Sequence, residues 1–202
     1  MDFLKDFFQI KLRIFIPIFI ILYAIIFYLS TKFLITDDLI LSNFDVSGTT
    51  EDIEGGHTFF SLFYGFFLVK SLFGIFIKAG VLAFALSLLL NNKFVAVFRV
   101  LMLSSAVYVI GRAIQFIIFG FFEPEKIKTL ETNIFSIYAL IDHNKYGSFI
   151  QNLAYDISLI EIGFMAMIIS GLYLINDHAF LNKIIPYVVI MDIAYIVLSG
   201  LL

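Results

Sequence analysis

The sequence predicts an all-α fold: a polytopic helical membrane bundle with five transmembrane helices, forming one integral membrane domain over residues 1–202. Three observations lead there. Hydrophobic residues make up 61% of the chain, charged residues only 14%, and the mean hydropathy is +1.02, whereas soluble domains carry about 25% charge. Five apolar runs reach or approach the roughly 20 residues that cross a bilayer. The longest, Phe59–Leu90 (FFSLFYGFFLVKSLFGIFIKAGVLAFALSLLL), holds only two charges, Lys70 and Lys78. A lysine in hydrocarbon costs about 2.5–3.5 kcal/mol on insertion scales, so such a helix requires neighbours that shield it.

Met1–Leu12 sets Phe3, Leu4, Phe7, Phe8 and Ile10 among Lys5, Lys11 and Arg13. The spacing fits either a short amphipathic helix lying on the membrane or a plain extension of the first span. That span, 14–35, is bounded by Arg13 and Lys32, with Pro17 in its first turn, where a missing N–H costs little. No small-residue cleavage site follows it, so it reads as a retained span and not a signal peptide. Thr36–Thr58 is expected to be an acidic loop, carrying Asp37, Asp38, Asp45, Glu51, Asp52 and Glu54 and no lysine or arginine.

The second span is 59–90, and the third, 94–122, follows after only Asn91-Asn92-Lys93, which makes the two antiparallel neighbours. Glu123–Asn152 is a second polar stretch in which Ile134–Ile141 (IFSIYALI) is apolar but too short to span, as in an interfacial or re-entrant piece. The fourth span is 153–175, with Asp156 at its start and Glu161 well inside. After the turn Asn176–Lys183 comes the fifth, 184–202, carrying Pro186 and Asp192. Lys5, Lys11, Arg13, Lys93 and Lys183 collect on one side of this threading; Lys32, Lys126, Lys128 and Lys145 collect on the other. The bias places the N-terminus in the cytoplasm and the C-terminus outside, in a cell membrane.

At about 1.5 Å of rise per residue, and measured from the outer ends of their spans, Lys70 lies about 16 Å deep, Arg112 about 15 Å, Glu161 about 12 Å and Asp192 about 15 Å. Two bases and two acids therefore share one slab, with Arg112 and Glu161 the best depth-matched pair. This intramembrane charge cluster serves either as structural ion pairs that pin helix register or as a binding site or pathway for an ion, a proton or an anionic headgroup. Lys78 and Arg99 fall nearer the cytoplasmic face and read as snorkelling anchors. Gly65, Gly74, Gly80, Gly111, Gly163 and Gly171 permit close helix approach.

The absence of cysteine removes disulfides, thiolate nucleophiles and thiolate metal sites. His57, His143 and His178 fall in three different loops, and the acidic residues of the first loop match no calcium-loop spacing, so no metal or cofactor is expected. No nucleophile set, HExxH, phosphate-binding loop or GxSxG occurs, and no catalytic residue is assigned. A net charge of −3 without a basic cluster argues against nucleic acid. Membrane lipid and other membrane subunits are the expected partners.

The stretch Asn133–Ile175, NIFSIYALIDHNKYGSFIQNLAYDISLIEIGFMAMIISGLYLI, resembles bacterial chains of the Yip1 family of small multispanning membrane proteins. In those, a short apolar segment precedes an acidic turn and a span with a buried glutamate. Five spans, a cytoplasmic N-terminus and an external C-terminus are similar to that family as well. The aspartate–leucine–tyrosine–glycine–proline signature of eukaryotic members is absent, and the resemblance supplies no catalytic residue. With no soluble catalytic or nucleotide-binding domain in the sequence, the expected function is a non-enzymatic integral membrane scaffold or accessory subunit of a larger membrane complex. The alternative is a small transporter or channel component using Lys70, Arg112, Glu161 and Asp192. The two diverge on whether the charges all pair or line a water-filled cavity.

Overall fold

A computed structural model describes residues 2–34, 50–121, 157–176 and 181–201, together with positions 136, 150 and 154. Among these residues the chain is helical without a β-strand: α1 Asp2–Gln9, α2 Leu12–Leu34, α3 Thr50–Leu89, α4 Phe94–Ser104, α5 Ala106–Phe121, α6 Leu159–Ile175 and α7 Leu181–Leu201. Three stretches are long and apolar enough to cross a membrane: Leu12–Ser30, Gly65–Leu89 and Phe94–Ile118. Their outward side chains, such as Ile21, Phe73, Phe84 and Val95, are apolar and exposed, as a lipid-facing surface requires. This is an all-helical membrane protein.

The N-terminal segment is a separate helix and not an extension of the first span, because the chain breaks at Ile10–Lys11. Phe8 of α1 is buried while Phe3, Lys5 and Asp6 face outward. Its ring sits over Gly171, where a Cβ would come within 2.7 Å of Phe8 Cε1 and 2.5 Å of Val100 Cγ1. Glycine there lets α1 and α4 both touch the backbone of α6.

In α2 the stripe Phe15, Phe19, Tyr23, Phe27 follows i, i+4 spacing, so these four rings share one face, turned toward the core. Neighbouring centroids lie 5.6, 6.0 and 6.4 Å apart. Helix α3 begins at Thr50, so Gly55, Gly56 and His57, expected in the first loop, are helical. Positions 36–49 of that loop lie outside the described residues, as do Asp156, His143, His178 and all of Ile134–Ile141 except Ser136, which forms an isolated antiparallel bridge with Ser158.

The α3–α4 connection is a helix C-cap of the Schellman kind. Asn91 takes φ 52, Asn92 N–H donates to Ser87 O at 3.0 Å and Asn91 N–H to Leu88 O at 3.4 Å. Asn92 Nδ2 also donates to Asn176 Oδ1 at 2.8 Å. The α3–α4 turn and the end of α6 therefore lie at one end of the bundle.

The third span is interrupted. Ser104 Oγ donates to Val100 O and Ser105 Oγ to Met102 O, at 2.8 and 2.5 Å; serine back-bonding of this kind bends helices. The break lets α4 pack on α3 and α6 while α5 packs on α2. The fourth helix starts later than expected, at Leu159. Ser158 is its N-cap, with Oγ accepting Glu161 N–H at 3.2 Å. Glu161 thus stands in the first turn, not well inside the span.

Candidate functional site: a buried ion triad beneath a polar cavity

Three helices bring their charges to one point. Lys78 of α3 donates to Glu161 Oε1 of α6 and lies 3.0 Å from Asp192 Oδ1 of α7. All three are buried, Asp192 completely. A fourth helix, α5, contributes Tyr108, whose hydroxyl is 3.0 and 3.2 Å from the two Glu161 oxygens. The ammonium also lies 5.2 Å from the Phe164 ring and 5.3 Å from that of Tyr195, within the range of cation–π attraction.

The two carboxylates are held unequally. Glu161 sits at the N-terminal turn of α6, where the helix dipole favours a negative charge, and it accepts from both Lys78 and Tyr108. Asp192 lies at ion-pair distance from Lys78, but the approach is off-axis, and neither of its buried oxygens accepts an aligned hydrogen bond. Distance makes it a paired charge; hydrogen-bond geometry leaves it unsatisfied.

Above the triad lies a cavity of about 450 Å3. Lys70, Ser71, Gly74 and Lys78 form its α3 wall, and Tyr108, Arg112 and Gln115 its α5 wall. Tyr23 of α2 closes another side, its hydroxyl 2.5 Å from Ser71 Oγ. Gly74 faces open space, with no heavy atom within 4 Å of the point where a Cβ would stand. Among the described residues no carboxylate lies within ion-pair distance of Lys70 or Arg112; Lys70 is exposed and Arg112 half-buried.

The four charges expected in one slab therefore divide. Glu161 and Asp192 meet at Lys78, while Lys70 and Arg112 line the cavity that Glu161 also borders. The expected Arg112–Glu161 pair does not form among the described residues; the cation on Glu161 is Lys78. The reading of Lys78 as a snorkelling anchor is overturned by its burial. The depth scale explains the error. Because α3 runs back to Thr50, Phe59 is not the end of the helix from which depth was counted. Counted from the Asn91–Lys93 turn at 1.5 Å per residue, Lys78 lies about 20 Å in, Arg112 about 27 Å and Lys70 about 31 Å. Glu161 lies about 22 Å from Asn176, level with Lys78.

Two sequence signals mark this site. Ser158-x-x-Glu161 before an apolar run has the form of a capping box, which starts a helix at Leu159. Lys70, Gly74 and Lys78 at i, i+4, i+8, facing Tyr108, Arg112 and Gln115 at i, i+4, i+7, are polar stripes on otherwise apolar helices. No group of three or more His, Asp or Glu suited to a metal occurs among the described residues. Comparison with known proteins finds no matching family model, no significantly similar curated protein and no significantly similar solved structure.

Proposed function

We propose that this chain is a small, non-enzymatic transport or ligand-binding component of a membrane, with the cavity above Lys78 as its site. In this reading five helices span the bilayer, α1 lies on the cytoplasmic face and the cavity opens toward the outer leaflet. The observation that carries it is the inequality of the charges. A scaffold or accessory subunit needs its intramembrane charges paired, and the triad of Lys78, Glu161 and Asp192 meets that need. It gives no role to two further cations, Lys70 and Arg112, that line the cavity with no carboxylate at ion-pair distance among the described residues. Intramembrane ionisable groups line cavities where a polar species binds or passes. The Yip1-like stretch contributes Glu161 to this reading and nothing to its chemistry.

The lack of native cysteine makes the test direct. Gly74→Cys, Leu82→Cys and Leu198→Cys place a single thiol in the cavity, in the packed core and on an exposed apolar face. A water-soluble, membrane-impermeant maleimide added to the outer side of sealed vesicles should label Gly74→Cys and spare the other two. Labelling of Gly74→Cys no faster than Leu82→Cys would return the chain to the scaffold reading; labelling from the inner side only would invert the orientation.

A further inference from the structure

We infer that the mouth of this cavity binds a phosphate oxyanion between Lys70 and Arg112, with the headgroup of an anionic phospholipid as the favoured source. The inference rests on the cavity reading above and names its ligand. Three observations support it.

The first is charge balance. Among the described residues, with every group ionised, Lys70, Lys78 and Arg112 stand against Glu161 and Asp192, which leaves one positive charge around the cavity. An unpaired cation at the edge of the hydrocarbon layer attracts an anion, and one bound monoanion, the charge of a phosphodiester, cancels the surplus. The triad keeps its own cation occupied, so the surplus sits at the mouth. The second is donor chemistry. A guanidinium presents a planar fork matched to phosphate oxygens, and an ammonium adds a point charge. The third is height and surroundings. At about 27 and 31 Å from the cytoplasmic turn, Arg112 and Lys70 stand at the far edge of a hydrocarbon layer about 30 Å thick, which is where phospholipid phosphates lie. Phe66, Phe73, Ile114 and Ile117 flank the two cations and are exposed, so acyl chains would find apolar surface beside the charged mouth.

The test uses the full chain carrying Gly74→Cys, reconstituted in nanodiscs of phosphatidylcholine alone or doped with phosphatidylglycerol, with the labelling rate by a neutral maleimide as the readout. Phosphatidylglycerol should slow labelling roughly tenfold, the protection given by a ligand at about ten times its Kd. Lys70→Gln with Arg112→Gln should abolish the protection, and Arg112→Lys should retain most of it. Inorganic phosphate added to phosphatidylcholine discs identifies the other source: protection by it and not by phosphatidylglycerol keeps the oxyanion site and replaces the lipid with a free anion. Both cations are exposed or half-buried, so the neutral variants should fold, and equal thermal unfolding midpoints for Gly74→Cys with and without the two neutral substitutions in phosphatidylcholine check this. Rapid labelling that neither phosphatidylglycerol nor phosphate slows overturns the inference and leaves the water-filled cavity standing. Protection that survives the loss of both cations overturns it too. If Gly74→Cys resists the reagent even in phosphatidylcholine, the cavity reading itself fails.

Discussion

Lys70 and Lys78 stand eight residues apart on one face of α3, yet they end in opposite environments. Around Lys78 four helices converge, every charge is buried, and an ammonium bridges two carboxylates. Around Lys70 the same helix face opens onto a cavity, and neither Lys70 nor Arg112 has an acid within reach among the described residues. Two turns of helix separate a site that holds the bundle together from one free to bind something else. The difference teaches that an intramembrane charge has to be judged by its partners, not by its presence in an apolar run.

The widest separation between the two regions should come from removing Lys78. Breaking a buried ion pair costs about 3–5 kcal/mol, and Lys78→Met leaves two carboxylates uncompensated. We expect that variant to lose the folded state in mild detergent, measured by chemical unfolding. Lys78→Met combined with Glu161→Gln and Asp192→Asn should recover much of the loss, because neutral groups do not need the ammonium. A Lys78→Met variant as stable as the wild type would erase the distinction between the two lysines.

Glycines sharpen the same contrast on a smaller scale. Gly171→Ala drives a methyl into Val100 and Phe8, and overpacking of that kind costs about 1–3 kcal/mol. Gly74→Ala meets open space, and removing backbone freedom from a helix should stabilise by about 0.5–1 kcal/mol. Opposite signs in thermal unfolding are the expected outcome; a destabilising Gly74→Ala would mean the cavity is filled by protein.

The hydroxyl on the triad matches Gly171→Ala in size. Tyr108→Phe removes a hydrogen bond to Glu161 without disturbing the ion pair, at about 1–3 kcal/mol for a charged acceptor. The smallest effects belong to the mouth. Lys70→Gln and Arg112→Gln should each shift stability by no more than about 0.5 kcal/mol, and a double-mutant cycle between Arg112 and Glu161 should show coupling near zero. Coupling above about 1 kcal/mol would restore the direct pair that residue depths alone suggest.

Much of the architecture was legible before any coordinate. The first three apolar runs, the tight Asn91–Lys93 turn and the packing of α3 against α4 follow from local composition, and the structure keeps them. The start of α3 was not legible, since Gly55 and Gly56 argued for a loop and the helix runs through them. The start of α6 could have been read from Ser158 and Glu161, a capping pattern hidden by the surrounding apolar residues. Of the candidate site, Glu161 and Asp192 meet at a single cation, and residue depths pointed to the wrong one.

What the sequence by itself determined is the solvent: a chain this apolar folds as helices in lipid, whatever its partners. Only the tertiary structure decided which lysine is buried. In a soluble helix the apolar face points inward and periodicity reveals it. In a membrane the outward face is as apolar as the core, so Phe73 facing lipid and Leu82 in the core carry the same hydropathy signal. Rotation and depth of α3 are then set by what it packs against, and that packing brings Lys78 to Glu161 and Asp192 and leaves Lys70 beside the cavity.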